Sequence, residues 1–207
     1  MTIKESIALW ATFSDCGQAV KNDAAYRVCK TPWVGKISYL FTFFDPLDLT
    51  LYDSLTNGFL EIGKRIINFH YLTDFLAVTN GALLFNSSIV LDGFSTSEDS
   101  FDFSQPVSII RDNKKQMFSV PSFYIYIGVC FLSSSSNGFF YLNSENGEVY
   151  LYKNESRSGI IVKKWSSFRE LLDYIHAIFD PMYDKKGKSL IFGKQGEPLP
   201  NVNYFKI

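Results

Sequence analysis

The chain has 207 residues, with 20 Lys and Arg against 21 Asp and Glu, a formal net charge of −1 and 46% hydrophobic residues. That length suits one domain with a full core, and the balance of apolar and charged residues excludes a disordered or collagen-like chain. Twenty Phe and twelve Tyr make a strand-containing fold the expectation, because aromatic side chains favour pleated surfaces and also carry interface energy.

The start, Met1-Thr2-Ile3-Lys4-Glu5, carries an acid at once and only the short apolar run 7–10 follows, so it does not read as a secretory signal. The longest near-apolar run, residues 123–132, is far below the ~20 residues that a membrane span requires. A soluble, intracellular protein with no membrane segment is the expectation. Ile7, Trp10, Ala11 and Phe13-Ser14 are placed to line a short helix. Residues 37–44, aromatic and β-branched, read as a buried strand that Asp45-Pro46 ends. Residues 1–45 are read as an N-terminal extension packed on the main domain.

From residue 51 to 78 the apolar positions Leu55, Phe59, Ile62, Ile66, Phe69, Leu72, Phe75 and Leu76 recur at spacings of three and four. Two helices with one buried face each, broken near Asn68, are predicted, with Asn80-Gly81 closing the second. Leu83-Leu84-Phe85 and Ile89-Val90-Leu91 read as short paired strands, and residues 92–108 as a long polar loop. Strands resume at 123–127 and 130–132, and Ser133 to Gly138 reads as a polar turn. Residues 139–142 and 148–152 flank Asn143-Ser144-Glu145-Asn146-Gly147, whose glycine suits the positive-φ position of a bulged hairpin loop. Ser167 stands three residues before Glu170, a capping-box spacing, and Phe168, Leu171, Leu172, Ile175 and Phe179 then form one apolar stripe ended by Asp180-Pro181. Clustered strands and one late helix predict an α+β fold.

Catalytic signatures are sparse. Cys16, Cys29 and Cys130 have neither the even count of a disulfide framework nor CxxC spacing, and buried, idle thiols are the simpler account. His70 and His176 fall in separate predicted helices, where partly exposed helix residues are the plainer reading. The sequence has no HExxH, no Gly-rich phosphate loop and no GxSxG. The run Ser133 to Ser136 lacks the lysine and the strand-to-helix context of a phosphate site and reads as a turn. No enzyme, no catalytic residue, no cofactor and no metal is therefore expected. Charge is uneven along the chain: between Arg65 and Arg111 there is no Lys or Arg, while Asp74, Asp92, Glu98, Asp99 and Asp102 all fall there, and Lys185, Lys186 and Lys188 follow the last helix. A solvated loop and a solvated helix end are the plain reading.

Several pieces occur in a recognisable order: Phe75-Leu76 before Asn80-Gly81-Ala82-Leu83-Leu84-Phe85, then Ile89 to Gly93, Ile127-Gly128, Phe139-Phe140-Tyr141-Leu142, Asn146-Gly147-Glu148-Val149-Tyr150, and Trp165-Ser166-Ser167-Phe168-Arg169-Glu170-Leu171-Leu172. As an ordered set spanning residues 45–188 they resemble the SUKH superfamily, whose bacterial members are mostly immunity proteins against polymorphic toxins. The resemblance implies a twisted, mainly antiparallel sheet flanked by helices over residues 46–190, with 191–207 as a C-terminal tail. It also implies a cytoplasmic protein that binds a cognate toxin domain and occludes it. Asn80 and Gly81 read as a helix stop, Gly128 and Gly147 as turn formers and Ser167 as a cap.

Nuclease toxins need basic surfaces to hold phosphates, so an acidic partner can occupy that surface and speed encounter. Glu98, Asp99 and Asp102 are the candidate charges for this and Phe101 the candidate anchor, with Phe94 and Phe103 interleaved. The same acids argue against nucleic acid as a direct ligand. A regulatory or scaffold protein of the same superfamily is the alternative, and a small hydrolase using Cys130 or a serine with His176 is a more distant one.

Overall fold

The computed structural model of the protein describes residues 2–11, 20–22, 25–33, 36–85, 87–95, 105–115, 118–133, 136–154 and 159–183. Helix α1 (Ile3–Ala11) starts on a reciprocal cap. The Glu5 N–H donates to Thr2 Oγ1 at 3.1 Å, and the Thr2 N–H donates to Glu5 Oε2 at 2.7 Å, which satisfies two of the donors a helix start leaves open. Strands β1 (Val20–Asn22), β2 (Ala25–Trp33) and β3 (Lys36–Phe44) follow, then helices α2 (Tyr52–Glu61) and α3 (His70–Leu76). A short pair, β4 (Ala82–Leu84) and β5 (Ile89–Leu91), leads through helix α4 (Ile109–Lys114) to β6 (Tyr124–Ser133), β7 (Ser136–Asn143), β8 (Val149–Lys153) and β9 (Ile160–Trp165). Helix α5 (Phe168–Phe179) comes last, with a 3-10 turn over Asp180–Met182.

Among the described residues these strands form one nine-stranded sheet whose spatial order is also the chain order, and every pairing is antiparallel. This is the α+β class expected from the clustered strands. β3 pairs with β4 through Phe41 opposite Leu84 and Phe43 opposite Ala82, so strands from before residue 45 and from after it share the sheet.

Alternation along the strands sorts side chains between two faces. Phe41, Leu84, Ile89, Cys130, Phe140, Leu142, Val149, Leu151 and Trp165 join the main core with Leu55 and Phe59 of α2, Leu72, Phe75 and Leu76 of α3, and the whole apolar stripe of α5. Ring contacts tie the layers together: Phe75 meets Phe168 at 4.6 Å and Phe85 meets Phe179 at 4.9 Å between centroids. The other face of β6–β8 carries Tyr126, Phe139, Tyr141 and Tyr152, which form a second, smaller cluster under Phe118.

The hairpin predicted around Gly147 is present, with Phe139 opposite Tyr152, Phe140 opposite Leu151 and Leu142 opposite Val149. Gly147 has φ +81°, and a Cβ there would lie 2.6 Å from the Tyr71 ring, so both backbone and neighbour demand glycine. Ser167 caps α5 by accepting from the Glu170 N–H at 3.2 Å. Glu170 reaches one residue further back than a standard box, accepting from the Ser166 N–H and Oγ at 2.6 Å each.

Other expectations are corrected. Gly128 is not a turn former: it sits inside β6, where the register shifts between Tyr126 and Gly128. The extra residue lets Ile127 and Gly128 both face the helices, as a bulge does. A Cβ on Gly128 would stand 2.1 Å from the Val90 carbonyl oxygen. The two strands expected at 123–127 and 130–132 are therefore one bulged strand. Asn80-Gly81 does not cap α3, which ends at Leu76 with the Ala77 N–H donating to Thr73 O at 2.8 Å. Strand β9 and helix α4, neither of them predicted, complete the sheet edge and the β5–β6 connection.

Candidate functional site

Glu98, Asp99, Phe101 and Asp102, the residues proposed for partner binding, lie outside the described residues, as do Phe103, Lys185, Lys186 and Lys188. The two ends of their segment are described, and they are pinned together. The Gly93 N–H donates to Val107 O at 2.9 Å, the Ile109 N–H donates to Gly93 O at 2.8 Å, and Gly93 and Ser108 form a parallel bridge. The amide of Asn80 clamps the next residue on both sides: Nδ2 donates to Phe94 O at 2.8 Å and Oδ1 accepts from the Phe94 N–H at 2.7 Å. Asn80 is thus a fastener between the α3–β4 connection and the loop root. Ser108 caps α4, its Oγ accepting from the Arg111 N–H. Asn113 of α4 in turn donates to Tyr126 O at 2.8 Å and accepts from the Tyr126 N–H at 2.9 Å, so α4 is sewn to β6.

Two residues counted with the solvated loop belong to the interior. Asp92 is 1% exposed and Phe94 8% exposed. Among the described residues neither carboxylate oxygen of Asp92 has a hydrogen-bond partner. Burial, chiefly, and the nearby Asp112 charge push its carboxyl well above the usual aspartate range, with Arg111 pulling the other way. Asp74 is exposed, on α3 and not in the loop. The acidic stretch therefore divides into a helix acid, a buried acid and the three acids within residues 96–104.

The candidate nucleophile and bases do not assemble. Cys130 is a free thiol 1% exposed, and burial pushes its pKa up, the opposite of an activated cysteine. His176, expected to be partly exposed, is buried at the end of α5 with Nδ1 2.7 Å from Asp180 Oδ2. His70 opens α3, exposed, beside Asn68 Oδ1 and the Tyr71 ring. Among the described residues no group of three His, Cys, Asp or Glu side chains is placed to hold a metal ion, and no helix is long and apolar enough to cross a membrane.

No family model matches the chain, and neither does any curated protein or solved structure.

The tyrosine face was not legible as such in the sequence. Tyr126, Tyr141 and Tyr150 stand in one row across β6, β7 and β8, and Lys164 of β9 continues it. Tyr124 and Tyr150 stack at 5.3 Å at the half-buried rim. Glu148 accepts from Tyr150 OH and bridges to Lys164 Nζ, both at 2.5 Å; the Lys164 contact foremost, then the Tyr150 hydrogen bond, holds its carboxyl below the usual range. Burial pushes the Tyr126 and Tyr141 phenols above their usual range. Lys64, 4% exposed, donates to Tyr124 O at 2.9 Å, and burial lowers its pKa. It anchors the α2–α3 connection, which is also held by Ser144 Oγ donating to Arg65 O at 3.1 Å and accepting from the Ile67 N–H at 3.2 Å.

Proposed function

We propose that this chain is an immunity protein, acting in the cytoplasm, that binds a cognate toxin domain of the nuclease type and blocks it by occlusion. The observation that carries the reading is the ordered set of pieces resembling the SUKH superfamily, each of which has a structural task in an α+β fold of fitting type. Phe75-Leu76 closes α3, Asn80 fastens the loop root, Gly128 makes the β6 bulge, Gly147 turns the hairpin and Ser167 caps α5. Just outside the segment between Ser95 and Gln105, Gly93 and Val107 are joined by a backbone hydrogen bond of 2.9 Å. Glu98, Asp99 and Asp102 supply charge against a basic toxin surface and Phe101 an apolar anchor. Loop charges of this kind act mainly on encounter.

The test joins binding kinetics to protection. With the toxin domain encoded by a neighbouring reading frame, the parent protein is expected to bind and to protect co-expressing cells. The variant carrying Glu98→Lys, Asp99→Lys and Asp102→Lys is expected to associate at least about tenfold more slowly at low salt, the gap narrowing as salt rises, with an unchanged thermal midpoint. A parent that neither binds nor protects against that toxin sinks the immunity reading. A triple variant equal to the parent across the salt range sinks only the role of the loop.

A further inference from the structure

We infer that Asp92 is a proton-operated latch for the root of the 92–108 loop: the neutral carboxyl lets the root close against α4 and β6, and loss of its proton opens the root. The inference stands apart from toxin binding and rests on three observations. First, Asp92 sits directly before the Gly93–Phe94 root, 1% exposed, with both oxygens unpartnered among the described residues. A charge in that position has no hydrogen bonds to offset its lost hydration, and an unpaired buried ion is among the most unfavourable groups a fold can hold.

Second, the charged and titratable groups that bear on it among the described residues do not cancel its charge. From α4 come Asp112, which repels it, and Arg111, which attracts it but is already engaged by Asp112 at 3.0 Å between Nε and Oδ1. From β6 comes Tyr126, whose phenol burial and the Asp92 charge push up, so it stays neutral and brings no positive charge to Asp92. Third, the root is fastened locally. Its fastenings include the Gly93–Val107 and Ile109–Gly93 backbone bonds and the Asn80 clamp on Phe94. These contacts, with the Asp92 N–H donating to Ile127 O at 2.9 Å, are separate from those of the β7–β8 hairpin, so the root can open as a local unit.

The sign follows from proton counting. An open root exposes Asp92, whose carboxyl then has an ordinary affinity, about 3.9 for aspartate in water. The closed root holds the proton to a higher pH. Between those two values closing takes up one proton, so the opening constant rises about tenfold per pH unit and the closed form is favoured at the acid end.

Amide hydrogen exchange corrected for intrinsic rates reads this directly. In the parent, the opening constants at Gly93, Phe94 and Ile109 are expected to rise about tenfold per pH unit above about pH 5, while Phe140 and Leu151 in the β7–β8 hairpin stay protected. In Asp92→Asn, a neutral side chain of the same shape, the root amides are expected to show no such slope. Equal slopes in parent and variant overturn the latch, as does a parallel rise at the hairpin amides, which would make the event global. Should the variant fail to fold, a carbon-13 titration of the Asp92 carboxyl in the parent decides: a midpoint in the ordinary aspartate range overturns the inference.

Discussion

The two faces of strands β6–β8 are made by alternate residues of the same segments, yet they are built differently. Toward the helices stand Ile125, Phe140, Leu142, Val149 and Leu151, every one at most 1% exposed, in one core with apolar residues of α2, α3 and α5. Toward the other side stand Tyr126, Phe139, Tyr141 and Tyr152, with Phe118 packed over them at 5.3 Å from Phe139 and 5.7 Å from Tyr152. Amphipathic helices can cover apolar surface completely, whereas Phe118 with Val120 beside the cluster leaves a rim at which side chains meet water. Tyrosine suits that rim, since its ring is buried while its hydroxyl reaches solvent or a partner such as Glu148. Completeness of cover, more than strand sequence alone, decides which face takes phenols.

That contrast makes graded predictions for equilibrium unfolding in urea. Phe140→Ala, on the helix side, should have the largest effect, toward the upper end of the roughly 3–5 kcal/mol that such truncations cost. Phe118→Ala should cost less, about 3 kcal/mol, and should raise the solvent accessibility of Tyr141 and Tyr152 in tyrosine fluorescence quenching while leaving α5 intact by circular dichroism. If Phe118→Ala proves as damaging as Phe140→Ala and melts α5, the second face is an equal part of the core and the contrast fails. Ser167→Ala should have the smallest effect, about 1 kcal/mol, because it removes a single cap at the α5 start. A loss several times larger would mean that the serine holds more than the helix end.

Legibility in the sequence tracked how local each determinant is. Helix α5 was readable because cap, stripe and stop all lie within its own residues, and the β7–β8 register because the turn at Gly147 fixes it. Strand β9 was not, since an edge strand with Ile160 and Ile161 both exposed and a register shift opposite Leu151 and Tyr152 has no alternation to read. Six-residue α4 is too short for a period, and its place is set by Asn113 bonding to β6. Asn80-Gly81 looked like a helix stop because that dipeptide commonly is one. Its partner, Phe94, stands fourteen residues away. The burial of Asp92 has the same character: an acid after three apolar strand residues gives no sign of its surroundings until the 105–108 segment returns beside it.

Because the strands lie in space in the order in which they are synthesised, each has its pairing neighbour already made when it leaves the ribosome. The sheet can lengthen at one edge by successive hairpins, with only the passages from β3 to β4 and from β5 to β6 requiring a longer closure. Most edges met during growth are then temporary, covered by the next few residues of the same chain. A nine-stranded sheet assembled this way spends little time presenting bare strand edges to other nascent chains.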